Sequence, residues 1–111
     1  MKPMELALKY MEIFFSGENI EELRHLFAED FTFRGPLYEF NSAEDYIDSL
    51  KLDPPEGFGY EIIGSFEDSS SARLVYRFTK PGVSTLMAQL FKVSGDKIRK
   101  IVLVFDTSAF T

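Results

Sequence analysis

The second half of the chain consists of four strand-like runs separated by three short turn sequences. The runs cover residues 60–67, 72–79, 83–93 and 97–106, and the turns cover residues 68–71, 80–82 and 94–96. The turns are rich in Gly, Pro, Ser and Asp, and turns this short connect neighbouring antiparallel strands. The pattern therefore predicts an antiparallel meander of four long strands.

The first half predicts three helices and one further strand. Residues 3–15 have helical period, and Asn19 with Glu22 resembles a capping box that opens a second, short helix. Alternation after Asp30 predicts a strand that ends near Pro36, and Ser42 opens a third helix. This order predicts one α+β domain over residues 1–111, with three helices packed on one face of a curved antiparallel sheet.

Two of the predicted strands are apolar on both faces. Residues 101–105 read Ile-Val-Leu-Val-Phe, and in residues 83–93 Leu86, Ala88 and Leu90 oppose Met87 and Phe91. Strands of this kind need cover on both faces, and the three helices can cover only one. We therefore expect a homodimer in which a second copy covers the outer sheet face.

The composition excludes several classes of function. The chain contains no Cys, which excludes disulfides and thiolate chemistry, and only one His, which makes a metal site unexpected. The net charge of −6 argues against nucleic acid as a partner. Charged residues interrupt the N-terminal apolar stretch, so we expect no signal peptide or membrane span, and hence a cytoplasmic protein. No phosphate-binding loop is present, and we expect no cofactor.

Gln89 is the most informative polar residue. It shares one side of its strand with Met87 and Phe91, and an amide on an apolar face is costly unless it is hydrogen-bonded. One interpretation is a donor aimed into a cavity, towards a carbonyl or enolate oxygen. The alternatives are a structural Gln with a neighbouring partner, or one at the dimer interface.

Other polar residues allow the same two interpretations. Tyr10 and Tyr76 are predicted to face inwards, where their hydroxyls either donate to a ligand or find partners in the core. Asp106, after the last strand, is either a base in a pocket or a cap for the C-terminal segment. Glu39 is a further candidate for a base.

The element order and several short motifs resemble the SnoaL-like branch of the nuclear transport factor 2-like (NTF2-like) superfamily. The motifs are residues 9–11 (Lys-Tyr-Met), 15–18 (Phe-Ser-Gly-Glu), 26–36 and 104–110. The resemblance covers essentially the whole chain and is closest to uncharacterised bacterial members. It implies a cone-shaped sheet of the cystatin-like type wrapped around the long N-terminal helix, with an apolar pocket at its open end and a dimer through the outer face.

The same resemblance assigns roles to individual residues. Compared with ketosteroid isomerase, Tyr10 falls at the oxyanion-hole tyrosine and Gln89 at the second, protonated Asp donor. The catalytic Asp of that enzyme is replaced by Gly35. SnoaL cyclases have an acidic residue near the end of the last strand, which resembles Asp106.

We therefore expect a protein that binds a compact apolar ligand carrying a carbonyl or hydroxyl group. It is either a cofactor-free acid–base enzyme of the isomerase, cyclase or dehydratase type, with Tyr10, Gln89 and Asp106 as catalytic candidates, or a non-catalytic dimeric carrier, sensor or assembly module. A third alternative is that Phe rings fill the pocket completely. The expected pocket residues are Phe14, Phe33, Tyr46, Leu50, Tyr76, Phe78, Met87, Phe91, Ile101, Leu103 and Phe105.

Overall fold

The computed structural model describes residues 1–111 as a single six-stranded sheet with helices on its concave face. The α-helices are α1 (Pro3–Ser16) and α2 (Ala43–Leu52), and two short 3₁₀ helices cover Ile20–Leu26 and Thr107–Phe110. The strands are β1 (Phe27–Arg34), β2 (Glu39–Phe40), β3 (Gly59–Glu67), β4 (Ser71–Lys80), β5 (Val83–Ser94) and β6 (Lys97–Phe105). The predicted α+β class, with three helices before the meander, is confirmed.

The sheet is mixed and open, whereas the sequence predicted an antiparallel one. Its strand order is β2-β1-β6-β5-β4-β3, and β3 to β6 form the predicted antiparallel meander. However, β1 pairs with β6 in parallel, with Phe33 opposite Ile101. Residue alternation reports which face a side chain occupies and not the direction of the neighbouring strand, so it could not reveal this pairing.

Local irregularities bend the sheet around α1. The register shifts between Ile62 and Gly64 on β3 and between Lys92 and Val93 on β5. Such β-bulges increase the twist and curvature of a strand. The concave face receives the apolar side of α1, whose Leu6, Ala7, Tyr10 and Met11 are buried.

The second predicted helix differs from the expectation. Ile20–Leu26 is a 3₁₀ helix, and Asn19 before it has left-handed backbone angles and makes no capping hydrogen bond through its side chain. Seven residues is long for a 3₁₀ helix, a geometry that mostly occurs in runs of three or four residues, so the sequence pattern gave no reason to expect it. In contrast, Ser42 caps α2 as predicted, accepting a hydrogen bond from the backbone N–H of Asp45 at 3.1 Å.

The loop between β1 and β2 is held by one side chain. The Arg34 guanidinium donates to the carbonyl oxygen of Phe40 at 3.0 Å and to Oδ1 of Asn41 at 2.8 Å. The backbone N–H of Gly35 donates to the carbonyl oxygen of Tyr38 at 2.9 Å. These bonds fix a tight loop at the open end of the sheet.

Neither α-helix has the length and apolar character that a membrane-spanning helix needs.

Candidate functional site

A cavity of about 680 Å³ opens between α2, the C-terminal end of α1 and the open end of the sheet. Most of the residues that line it are hydrophobic. Both properties are typical of small-molecule sites. The aromatic rings therefore surround a cavity and do not fill it, which removes the third alternative of a pocket closed by Phe.

Most of the residues expected in the pocket from the sequence lie in its wall. They come from α1, β1, α2 and the strands β4, β5 and β6, which are far apart in the chain. They are Tyr10, Phe14, Phe33, Tyr46, Leu50, Tyr76, Phe78, Met87, Gln89, Leu103 and Phe105.

Phe91 and Ile101 are corrections to that expectation, because neither lines the cavity. Both are fully buried and lie opposite each other in the register of β5 and β6. They occupy the predicted face of the sheet, but at the end that α1 covers, where the Phe91 ring contacts Tyr10 edge-on at 5.3 Å between centroids. Alternation in the sequence shows which face of the sheet a side chain occupies. It does not show where along the strand α1 stops covering that face and the cavity begins.

Asp106 also lies outside the cavity. It is exposed, and its carboxylate accepts a hydrogen bond from the backbone N–H of Ser108 at 3.0 Å. This bond lowers the pKa of Asp106, which is the opposite of what a pocket base requires. Asp106 is the cap of the helix Thr107–Phe110, the second of the two interpretations that its sequence allowed.

Glu39, the other candidate for a base, is exposed and does not line the cavity either.

Two hydrogen-bonded pairs of buried side chains lie at the base of the cavity, Tyr46 with Tyr10 and Tyr76 with Gln89, and we call these four residues the Tyr–Gln network. The hydroxyls of Tyr10 and Tyr46 are 2.5 Å apart. The Tyr76 hydroxyl donates to Oε1 of Gln89 at 2.7 Å, so the amide nitrogen of Gln89 remains a donor. The register explains the second pair, since Leu74 of β4 lies opposite Gln89 and Tyr76, two residues further along the same face, is its diagonal neighbour.

Burial dominates the pKa values in the network. It raises the pKa of Tyr10 to about 12, while the neighbouring polar groups of Tyr46 and Gln89 act to lower it. Burial, and then the neighbouring Tyr10, raises the pKa of Tyr46 well above its usual value. Of this pair, Tyr10 therefore loses its proton first, and Tyr46 then donates to the Tyr10 oxygen. Burial also raises the pKa of Tyr76.

All three buried tyrosines are therefore neutral at physiological pH. Either hydroxyl of the Tyr10–Tyr46 pair can be the donor. When Tyr46 donates to Tyr10, the hydrogen of Tyr10 remains free to donate into the apolar cavity.

The cavity contains two ionic side chains, Lys80 and Asp53, and the sequence analysis had not identified either. Asp53 ends α2 and is exposed, whereas Lys80 ends β4 and is half-buried. Both lie at the junction of an element and a loop, where periodicity carries no information. No three His, Asp or Glu side chains come together in a group that could hold a metal ion.

The remaining wall residues that the sequence analysis missed come mainly from loops and from the C-terminal helix. Phe110 of that helix packs against Phe78 and Phe105, with ring centroids 5.8 and 5.1 Å apart. The capping pattern at Asp106 and Ser108 was the available signal that this segment turns back over the cavity. The other missed wall residues are Phe15, Gly35, Pro36, Leu37, Tyr38, Phe40, Ser49, Pro55 and Phe58.

Comparison with solved structures shows the class of fold. An NTF2-like protein of unknown function from Cytophaga hutchinsonii superposes with a TM-score of 0.84 at 20% identity, covering 99% of this chain and 95% of that one. A protein from Kribbella flavida, provisionally called a ketosteroid isomerase, gives 0.79 at 19% identity, covering 92% and 76%. An LEH-like epoxide hydrolase from Mycobacterium tuberculosis gives 0.73 at 14% identity, covering 95% and 86%.

The chain therefore has the NTF2-like fold that its sequence motifs indicated. No protein-family model matches the sequence, and no curated protein matches it significantly. Because the fold hosts many chemistries, the function has to be argued from the cavity itself.

Proposed function

We propose that this protein binds a compact apolar ligand whose carbonyl or hydroxyl oxygen accepts a hydrogen bond from Tyr10. The observation that carries the proposal is the Tyr–Gln network at the base of the cavity. With Tyr46 as the donor of the Tyr10–Tyr46 pair, the Tyr10 hydrogen is available in surroundings that otherwise offer a ligand few polar groups. A hydrogen bond in such surroundings is stronger than one exposed to water.

Gln89 supplies a second donor in this proposal. The Tyr76 hydroxyl donates to its amide oxygen and so fixes the orientation of the amide. The amide nitrogen carries two hydrogens, and Gln89 lies close enough to Tyr10 to affect its pKa, so the amide can donate to the ligand oxygen that Tyr10 binds.

Binding without catalysis is the form of the proposal that the carboxylates favour. Two of the three structural neighbours described above have names that denote enzymes, and acid–base chemistry on a bound ketone would need a base near its α-carbon. Gly35 offers no base, Asp106 lies outside the cavity, and Asp53 is an exposed group at its rim. We propose a ligand carrier or sensor rather than an isomerase.

A thermal-shift comparison tests the binding proposal. Acetonaphthone presents a ketone on an apolar ring system, and ethylnaphthalene has nearly the same shape without the oxygen. We expect acetonaphthone to raise the melting temperature more than ethylnaphthalene does, because a ligand that binds only the folded state stabilises it. Small lactones and sterols extend the panel.

Two variants link the result to the network. Tyr10→Phe and Gln89→Leu should remove the advantage of the ketone over the hydrocarbon. Tyr60→Phe is the matched control, since Tyr60 is partly exposed and does not line the cavity. Equal shifts for the two probes in the unmodified protein would count against the proposal.

A proton-exchange experiment separates a binder from an enzyme. The methyl hydrogens of acetonaphthone exchange with deuterated water when a base removes them. We expect the protein to leave the exchange rate, followed by NMR, at its value in buffer. Acceleration that is lost in Tyr10→Phe would identify an acid–base enzyme instead.

We also propose that a second copy of the chain covers the outer sheet face. Six apolar residues lie side by side there on β4, β5 and β6, with Val75, Ala88 and Val104 in one row of the register. Val104 is 60% exposed and Leu86 is 49% exposed. We call this surface the outer patch; its residues are Val75, Leu86, Ala88, Leu90, Val102 and Val104.

A further inference from the structure

The cavity has two polar ends. The Tyr–Gln network forms one at the base, and the other lies at the mouth, away from Tyr10. The ammonium group of Lys80 lies 5.6 Å from the centre of the Phe58 ring and 5.1 Å from that of Phe110. Both rings line the cavity, as Lys80 itself does. The aromatic faces hold the cation by cation–π attraction and so keep it at the mouth.

Lys80 has no anionic partner within the chain. The ion pairs of the structure involve other residues, and none includes Lys80 or Asp53. Lys80 is the only basic residue in the wall of the cavity, and it is half-buried. A cation in this position attracts an anion more strongly than a fully solvated one, because less water screens it.

The two polar ends face the same side of one strand. Tyr76, which belongs to the Tyr–Gln network, and Lys80 are four residues apart on β4, and Phe78 between them forms part of the apolar wall. Side chains on one face of a strand recur every second residue at about 3.3 Å per residue, so the two positions are about 13 Å apart along β4. A ligand that engages both ends therefore spans this distance, which extends the compact ligand of the proposed function by an apolar middle and a second polar end.

We propose that Lys80 is an anion-binding residue and that the ligand of this cavity carries a carboxylate at the mouth and an acceptor oxygen at the base. This inference rests on the proposed function, because the oxygen at the base is the one that Tyr10 binds. It narrows the ligand class to oxo or hydroxy carboxylic acids with an apolar body. Because the rings already hold the ammonium group, little side-chain freedom is lost when it pairs.

Asp53 is the other ionic group at the mouth, and it opposes the binding of an anion. It is exposed, so water screens its charge more than that of Lys80. Asp53→Asn should accordingly strengthen the binding of a carboxylate, while Lys80→Met should weaken it.

Calorimetric titration with two matched probes tests the inference. One probe is an oxo fatty acid of about ten carbons with a methyl ketone at its far end, a length chosen for the ~13 Å separation. The other is its primary amide, which has almost the same shape without the charge. We expect the acid to bind about tenfold more tightly than the amide. A ratio of this size in Kd is what the free energy of one charge-assisted hydrogen bond typically produces.

Lys80→Met should abolish this advantage while keeping the side-chain stem on the two rings. Lys9→Met is the control, because it makes the same change of charge on the exposed side of α1, away from the cavity. Equal affinity of acid and amide in the unmodified protein, or an unchanged advantage in Lys80→Met, would overturn the inference.

The amide separates this failure from a failure of the proposed function. Suppose that Tyr10→Phe weakens binding of the amide, and that the acid binds no more tightly than the amide. Only the anion site is then excluded, and the proposed function stands. If neither probe binds, the proposed function fails, and the anion site fails with it.

Discussion

At the scale of single residues, the buried tyrosines give the protein an alkaline limit of stability. The pKa of Tyr10 is about 12 in the folded state and has its usual value of 10 in the unfolded chain. As the pH rises, the unfolded chain therefore loses this proton first. The contribution of protonated Tyr10 to the free energy of unfolding is therefore complete below pH 10 and is lost between pH 10 and 12.

This difference predicts a steep fall in the free energy of unfolding, measured by urea denaturation at a series of pH values up to 12. Two pKa units correspond to about 3 kcal/mol for Tyr10. Tyr10→Phe should be less stable than the unmodified protein at neutral pH, by about 1–2 kcal/mol for the lost hydrogen bonds. It should also decline less steeply towards pH 12, whereas Tyr60→Phe should follow the unmodified protein. Identical slopes for Tyr10→Phe and the unmodified protein would contradict the network.

The sequence could predict several members of this network but not their connections. Tyr10 follows from helical period, and Tyr76 and Gln89 follow from strand alternation. Tyr46 was expected only as a pocket residue, yet its hydroxyl lies 2.5 Å from that of Tyr10. That pair joins residues on two different helices, and periodicity within each helix says nothing of how they pack.

At the scale of elements, the cavity depends on how closely the end of α1 approaches the segment after α2. Gly17 has φ of +68°, and a Cβ added there would lie 2.2 Å from the carbonyl oxygen of Pro55. Pro55 lines the cavity, so this contact helps to position the wall. Glycine is required here both for its backbone angles and for space.

Gly17→Ala should destabilise the protein by about 2–4 kcal/mol, because it combines backbone strain with a clash against backbone. Gly95→Ala is the control, since Gly95 has φ of +62° with open space around it. It should cost only about 1 kcal/mol. Thermal and urea denaturation measure both, and equal losses would show that the contact with Pro55 is unimportant.

Elements with a repeating pattern were predictable, and those that depend on their neighbours were not. The meander and α1 follow from their own residues, and the meander matches the predicted pairing. The two-residue strand β2, the 3₁₀ geometry of Ile20–Leu26 and the parallel pairing of β1 with β6 depend on tertiary contacts. Short elements carry too few residues for a period to be visible.

At the scale of the whole molecule, the outer patch predicts a dimer. Val104→Glu would place a charge in this patch, and burying an unpaired carboxylate is strongly unfavourable. We expect the unmodified protein to sediment as a dimer and Val104→Glu as a monomer. Leu8→Glu is the control, because Leu8 is also exposed but lies on α1. A monomeric unmodified protein at micromolar concentration would contradict the proposal.

The whole molecule also explains why aromatic residues are so abundant. The chain contains 12 Phe and 5 Tyr. Some rings pack in the core, as do Phe27 and Phe31, which stack 3.9 Å apart, while many others form the wall of the cavity. A wall of large, stiff rings supports an apolar cavity on a chain of only 111 residues.

The most direct test of the proposed function is the infrared carbonyl band of bound acetonaphthone, labelled with carbon isotope at the ketone. A hydrogen bond donated by Tyr10 polarises the carbonyl group and lowers its stretching frequency. We predict a band below that in an alkane solvent, which moves back towards the alkane value in Tyr10→Phe. A bound ketone whose band matches the alkane value, or whose band is unchanged in Tyr10→Phe, would contradict the proposal that Tyr10 is the donor at the base of the cavity.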